Sequence, residues 1–271
     1  MKNICVITGA TGGMGIDIAK NFKKDDILVL ADLNKEKLDN LVIELKNLGI
    51  ESYGMVCDIS KIDDINSLVN KTKELGHFST LIHTAGVSES MGDWQKILTI
   101  NLIGTKLLSD AFYEIADNST VIHIASMTGR LVPNSKLFDK TLSNPLHPKF
   151  LKKMKLFANK PTNAYAFSKK GVIMLVENEV GKWAKKNSRI LSISPGAIDT
   201  PLSRLEAKNT PAVDILIKNT PIPRYGTVSE ITSLINYLCT KEAEFINGTD
   251  ILIDGGIVSH MKNNDIFKDL K

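Results

Sequence analysis

The 271-residue chain predicts a doubly wound α/β fold: a parallel sheet of seven strands with helices on both faces. Three observations predict it. Short apolar, β-branched runs alternate with longer amphipathic stretches along the whole length. The first such run leads directly into a glycine cluster and then a helical pattern. The composition, 43% hydrophobic and 24% charged, is that of an ordinary domain able to bury a sizeable core.

Strands are expected at 3–8, 26–31, 50–57, 79–83, 119–125, 188–194 and 249–253. Helices are expected at 14–24, 34–48, 61–75, 93–116, 163–186 and 227–239. The first strand is apolar as a buried parallel strand should be. Gly9, Gly12, Gly13 and Gly15 follow, and the next helix carries Ile16, Ile18, Ala19 and Phe22 on one side. In an open sheet of this kind ligands sit at the carboxyl ends of the strands. Gly9, Asp32, Asp58, Gly86, Ser126 and Pro195 all fall there.

Strand, glycine turn and helix form the context of a Rossmann-type dinucleotide site. Glycines let the backbone approach a pyrophosphate, and the helix N-terminus offers unpaired N–H groups and partial positive charge. The spacing is Gly9-x-x-x-Gly13-x-Gly15. The second strand ends in Asp32, whose carboxylate can accept both ribose hydroxyls of an adenosine and repel a 2′-phosphate. No Lys or Arg lies in the glycine loop and Leu33 follows Asp32, so NAD(H) is the expected cofactor. The bland alternative is that Asp32 caps the following helix.

Tyr165 and Lys169 are four residues apart, which puts a phenol and an ammonium on one helix face. A free tyrosine has a pKa near ~10, and a neighbouring cation favours its phenolate. General acid–base work needs that tuning. A bare Tyr-x-x-x-Lys match means little; the glycine turn at the other end of the chain gives it weight.

Read together, these motifs make the chain resemble the short-chain dehydrogenase/reductase family over nearly its whole length. Thr8 to Gly15 (TGATGGMG) looks like the family's cofactor motif, including Thr11 and Met14. Cys57-Asp58-Ile59-Ser60 matches its third-strand acid, which implies that Asp58 contacts the adenine. His83-Thr84-Ala85-Gly86 is similar to the family's Asn-Asn-Ala-Gly but departs at the first two positions. Asn101 and Ser126 fall at the active-site Asn and Ser, and Tyr165 and Lys169 at the Tyr-x-x-x-Lys pair. Pro195, Gly196, Ile198 and Thr200 fall in the segment that brackets the nicotinamide, and Ile253 to Gly256 match the last-strand signature. The resemblance implies strand order 3-2-1-4-5-6-7 and exchange of hydride with a nicotinamide. It further implies that Tyr165 moves the substrate proton, that Ser126 holds the same oxygen, and that Lys169 tunes Tyr165 and holds the ribose. For Asn101 the resemblance implies a water held between Lys169 and solvent. The bland reading of Asn101 is a helix-surface residue.

Ser126 and Tyr165 are 39 positions apart, far more than the family's usual dozen or so. The inserted segment, 131–160, carries seven lysines and one acid, Asp139. Its formal +6 exceeds the +4 of the whole chain, so the basic character is local. Pro133, Asn144, Pro145 and Pro148 predict an irregular first part, and 149–158 reads as a helix with Phe150, Leu151, Met154 and Phe157 as its apolar stripe. In length and position it is similar to the insert of bacterial 3α-hydroxysteroid dehydrogenase/carbonyl reductases, which implies a bulky alcohol or ketone substrate. The insert is expected to be a lid, a cover that leaves a homodimer in place of a homotetramer, or an anchor for an acidic substrate; a solvated lysine face is the bland alternative. A second variable segment, 201–224, is expected as a substrate loop, with Leu202, Leu205, Val213, Leu216 and Ile217 lining a pocket or packing a helix.

No apolar run approaches the roughly 20 residues of a membrane span, and because the first residues lead straight into a strand, no signal peptide is expected. Cys5, Cys57 and Cys239 lack metal spacing and read as apolar fillers in a reducing, cytoplasmic compartment. Neither a metal nor a nucleic acid is expected. The expectation is thus a single-domain, NAD(H)-dependent alcohol dehydrogenase or carbonyl reductase. The alternatives are a 3-ketoacyl reductase and a non-catalytic NAD-binding regulator.

Overall fold

The computed structural model describes residues 2–22, 25–207 and 211–264. In chain order its elements are β1 (Asn3–Thr8), α1 (Gly13–Asn21), β2 (Ile27–Asp32), α2 (Lys35–Asn47), β3 (Ser52–Val56), α3 (Ile62–Leu75) and β4 (His77–His83). Next come α4 (Trp94–Leu98), a π-helical turn (Thr99–Gly104), α5 (Thr105–Ile115), β5 (Thr120–Ile124), α6 (Met127–Leu131), α7 (Lys136–Leu142), α8 (Phe150–Met154) and α9 (Pro161–Ala184). The remainder is β6 (Arg189–Pro195), α10 (Pro201–Ala207), α11 (Pro211–Asn219), α12 (Val228–Leu238), a 3-10 turn (Lys241–Ala243), β7 (Asp250–Ile253) and α13 (Ile257–Met261).

The seven strands form one sheet in the order β3-β2-β1-β4-β5-β6-β7, every neighbouring pair parallel. This is the expected order. Side chains alternate across the sheet because successive Cβ atoms point to opposite faces. Cys5 and Ile7 of β1 join Ile18, Leu38, Leu45, Ile231 and Ile235 beneath α1, α2 and α12. Ile4 and Val6 join Ile65, Leu68, Leu108, Phe112, Val176 and Trp183 beneath α3, α5 and α9. Each such large apolar side chain contributes about 1.5–3 kcal/mol when fully buried. The sheet is therefore locked from both sides, and the carboxyl ends of its strands form one fixed edge.

Four expectations are corrected. The single helix at 93–116 runs on without a gap but is wound as a π-helical turn over Thr99–Gly104, around Asn101. The cause is polar: Asn101 turns inward to bond the main chain of Val87, and the Thr105 hydroxyl donates to the Asn101 carbonyl, 2.8 Å away. The first part of the insert, expected to be irregular, contains α7. Ser135 caps it by accepting from the Leu137 N–H, Asp139 accepts from the Ser135 N–H, and Phe138 and Leu142 bury one face. The helix expected at 149–158 is regular only over Phe150–Met154 and continues as turns. The loop expected at 201–224 holds α10 and α11, each opening with the proline that favours a first helical turn.

The insert packs down. Phe138, Leu142, Phe150, Met154 and Ala158 are buried together with Ile97, Leu98 and Leu102 from the α4 side and Ala164, Val172 and Ile173 from α9. Phe138 sits edge-on to Phe157 and Phe167, with centroids 5.6 and 4.9 Å away. The expected apolar stripe is present, with Phe150 and Met154 buried and Leu151 and Phe157 half-buried. All seven lysines of 131–160 are exposed. Among the described residues no helix is long and apolar enough to cross a membrane. The three cysteines are buried, and burial pushes the Cys57 thiol up to about 12, which leaves it unreactive.

Candidate active site

The glycine turn is built by exclusion. Gly9 adopts φ +66°, and a Cβ there would stand 2.6 Å from the Ala85 amide nitrogen. A Cβ on Gly15 would stand 2.3 Å from the Gly9 carbonyl oxygen. Side chains at either position would push β1, the turn and the loop after β4 apart. Helix α1 begins at Gly13 with no side-chain cap and no acid in its first turn. Its N-terminal amides and dipole are therefore suited to a phosphate group. Met14 packs beside the core, and Thr200 lies against Gly13, bringing the segment after β6 to the mouth of the turn.

Asp32 ends β2 beside this turn, and its carboxylate accepts from the Thr11 N–H at 2.9 Å. It does not cap α2; Asn34 does, accepting from the Lys37 N–H. Leu33 is exposed. Asp58 follows β3 and accepts from the Ser60 N–H and hydroxyl at 3.0 and 2.7 Å. Burial acts to raise its pKa, but the Ser60 hydrogen bonds and the Lys61 ammonium outweigh it and hold the carboxyl below the usual range. Ile59 is buried beneath the π-helical turn. These groups, with Ala85 and Gly86, share the carboxyl edge of β1 to β4. They offer an amide-rich anion cradle and, in Asp32 and Asp58, two carboxylates at its edge, a set that fits a dinucleotide.

Lys169, Asn101, Tyr165 and Gly86 converge beside it. Lys169 is buried on α9, and its ammonium donates to the Ile124 carbonyl at 2.8 Å. It lies 5.7 Å from the centre of the Tyr165 ring. Burial pulls its pKa down to about 8, so at neutral pH it remains mostly a cation, held in a medium that strengthens its field. Gly86 separates this ammonium from Asn101: a Cβ there would lie 3.8 Å from Lys169 Nζ and 3.2 Å from Asn101 Oδ1. Asn101 is buried, not on the helix surface. Its Oδ1 accepts from the Val87 N–H and its amide donates to the Val87 carbonyl, both at 2.8 Å. Its amide also reaches the Ser168 hydroxyl of α9 at 3.4 Å. Ser126 follows β5 and caps α6, accepting from the Thr128 N–H at 3.2 Å. Helix α6 packs on α9, which sets Ser126 against the helix of Tyr165 and Lys169.

On the far side, Pro195 pairs with Ile253, the Gly196 N–H donates to the Ile253 carbonyl, and Ile198 bridges to Gly226. The Ser203 N–H donates to the Thr200 hydroxyl at 3.1 Å, closing the segment into α10. A cavity of about 120 Å³ opens here, lined by Gly196, Ile198, Leu216, Ile217 and Ile257 among others. Leu216 and Ile217 line it, one of the two expected arrangements; Val213 does not, and the side chains of Leu202 and Leu205 lie outside the described residues. None of Asn101, Ser126, Tyr165 and Lys169 lines this cavity.

Several supporting residues were not singled out from the sequence. Ser168 and the Ile124 carbonyl carry no signature, because any strand end offers a carbonyl. His83 and Thr84 did show a signal, their departure from the family motif. The Thr84 hydroxyl donates to the Thr8 carbonyl at 2.8 Å, and His83 is buried between Thr8 and Thr105.

The short chain dehydrogenase family matches residues 3–137, and the enoyl-(acyl carrier protein) reductase family matches 153–258. The chain is 29% identical to short-chain dehydrogenase/reductase bsc3 of Alternaria brassicicola, over 97% of this chain and 98% of that protein. It is 26% identical to the 3-oxoacyl-(acyl-carrier-protein) reductase FabG of Thermotoga maritima, over 94% and 97% respectively. Among solved structures, a short-chain dehydrogenase/reductase from Brucella melitensis superposes with a TM-score of 0.75 at 27% identity, covering 95% of this chain and 99% of that one. With the sheet order, the glycine turn and these matches along both halves in agreement, the chain belongs to the short-chain dehydrogenase/reductase family of oxidoreductases.

Proposed function

We propose that the protein interconverts a secondary alcohol and a ketone with NAD(H), through proton transfer by Tyr165. The observation that carries this reading is the buried Lys169 ammonium, 5.7 Å from the Tyr165 ring and next to Asn101 across Gly86. A nicotinamide bound at the glycine turn supplies the hydride exchange. Thr8, Gly9, Thr11, Gly13, Met14 and Gly15 would cradle its pyrophosphate, Asp32 and Leu33 the adenosine ribose, Asp58 and Ile59 the adenine. Ala85, Gly86, Pro195, Gly196, Ile198 and Thr200 would enclose the nicotinamide half.

In oxidation Tyr165 takes the proton of the substrate hydroxyl; in reduction it returns a proton to the carbonyl oxygen. The Lys169 cation favours the phenolate and is positioned to hold the ribose. Ser126 donates to the same substrate oxygen and stabilises charge developing there. Asn101 borders Lys169 and anchors the route by which its proton is replaced.

Asp32 supports NAD(H) over NADP(H). Its carboxylate stands at the turn, hydrogen-bonded to Thr11, where a 2′-phosphate would meet a negative charge. The insert and the α10–α11 segment support a bulky substrate of the hydroxysteroid type. The insert's coverage of the α4–α9 face supports a homodimer. A 3-ketoacyl substrate is the second reading, favoured by the 26% identity to FabG. Oxidation of a panel of hydroxysteroids and small secondary alcohols, and reduction of 3-ketoacyl thioesters, with NAD and NADP in parallel, tests all of this. Tyr165→Phe should lower turnover at least about a thousandfold, on the scale of losing a group central to proton transfer. NADH binding, measured by fluorescence, should stay within about twofold, because Tyr165 acts on the substrate oxygen. Undiminished turnover in Tyr165→Phe would falsify the mechanism.

A further inference from the structure

His83 stands where the family motif has asparagine, and it spans a gap that asparagine is too short to span. It ends β4, is 3% exposed, and is paired in register with His123 of β5, the two rings edge to face at 5.4 Å. Its Nδ1 lies 2.6 Å from the Thr8 hydroxyl, at the start of the glycine turn. Its Nε2 lies 2.9 Å from the Thr105 hydroxyl, at the end of the π-helical turn. Thr105 in turn donates its hydroxyl hydrogen to the Asn101 carbonyl at 2.8 Å.

Counting hydrogens fixes the direction of the chain. The Asn101 carbonyl can only accept, so the single Thr105 hydrogen is committed to it. Thr105 must therefore accept from His83, which places the ring hydrogen on Nε2. Nδ1 is then bare and accepts from the Thr8 hydroxyl. Burial, the His123 ring and the Lys169 ammonium all disfavour the imidazolium, which keeps the ring neutral and able to both donate and accept. Every member of the chain is satisfied in one direction only: Thr8 to His83, His83 to Thr105, Thr105 to the Asn101 carbonyl. A buried, fully satisfied polar chain of this kind holds its members in one arrangement.

We propose that His83, as its Nε2–H tautomer, is a positioning residue that ties the glycine turn to the π-helical turn bearing Asn101. The proposal rests on the reading of Asn101 and the glycine turn given above. It couples the two halves of the site, so that the turn that receives the cofactor and the turn that flanks Lys169 move as one unit.

The test separates the two arms of the ring. An asparagine amide reproduces Nδ1 and a glutamine amide reproduces Nε2, so His83→Asn keeps the Thr8 contact and His83→Gln keeps the Thr105 contact. In His83→Asn, kcat should fall about fivefold while the NADH Kd stays within about twofold, the scale of one lost hydrogen bond. In His83→Gln, the NADH Kd should rise about fivefold for the same reason. Thr105→Val should reproduce His83→Asn, and the double variant should be no worse than either single one, because both cut the same link. In the wild-type protein, long-range 1H–15N correlation NMR should show His83 protonated at Nε2 and bare at Nδ1 around neutral pH. Additive effects of His83→Asn and Thr105→Val, the same kcat and NADH Kd changes in His83→Asn as in His83→Gln, or an Nδ1–H tautomer would each overturn the proposal. The NMR and NADH-binding arms need no turnover, so they judge His83 even if Tyr165→Phe shows the mechanism above to be wrong.

Discussion

The glycine turn after β1 and the 131–160 insert packed on α9 are made in opposite ways. The turn is specified by what it lacks: at Gly9 and Gly15 a single carbon would collide with backbone. The insert is specified by what it buries: Phe138, Phe150 and Met154 fill the space over α4 and α9, and its lysines face outward. The turn therefore tolerates almost no change, since backbone cannot yield. The insert should tolerate any change on its outer face and few on its inner one. The turn is thus held by local steric limits, and the insert by an apolar inner face whose outer side is free to vary.

The largest break in that comparison is Gly15→Ala. It should abolish NADH binding and destabilise the fold by roughly 3 kcal/mol, because overpacking against backbone cannot relax through a rotamer. Fluorescence titration and thermal melting check both. Phe150→Ala comes next, with a loss of about 3–4 kcal/mol for an emptied core site. If the insert is a separable cap, urea unfolding of this variant should lose its single transition while NADH binding survives; coincident loss of both would tie insert and site into one cooperative unit.

A smaller, opposite effect is expected at Lys169. Its folded pKa, about 8, lies below that of the unfolded chain, so the native state holds fewer protons between pH 8 and the unfolded value of 10.5. Stability should therefore rise with pH through that window and carry the full burial penalty below it. Lys169→Met should remove the pH dependence, raise stability by about 1 kcal/mol or more at pH 7, and eliminate turnover. Melting curves across pH 7–10 decide this, and a variant less stable than wild type at pH 7 would contradict it. The smallest effect belongs to the outer face. Lys152→Gln with Lys153→Gln should shift stability by less than about 0.5 kcal/mol. If the lysines are only solvated, KM for an acidic substrate should be flat with salt; a steep rise that these substitutions abolish would make the face an anchor for that substrate.

Much of the fold was legible because its signals are local. The strand at Asn3–Thr8, the turn after it and Asp32 at the end of β2 follow from hydrophobic periodicity and glycine placement, and all stand where expected. The π-helical turn at Asn101 was not legible, because the pull comes from Val87, fourteen positions away in the loop after β4. Helix α7 escaped notice because prolines flank it and its apolar partners lie on α9 and α4. The N-cap role of Ser126 and the inward turn of His83 were hidden for the same reason.

By itself, the sequence determined the order of strands and helices, the glycine turn and the spacing of Tyr165 and Lys169, since these depend on neighbours within a few residues. Only the tertiary structure decided that Asn101 is buried across Gly86 from Lys169, that the insert lies down on α4 and α9, and that His83 links Thr8 to Thr105. Those arrangements join residues far apart in the chain. Their partners are chosen by shape and hydrogen-bond satisfaction after the sheet has formed, which no local pattern records.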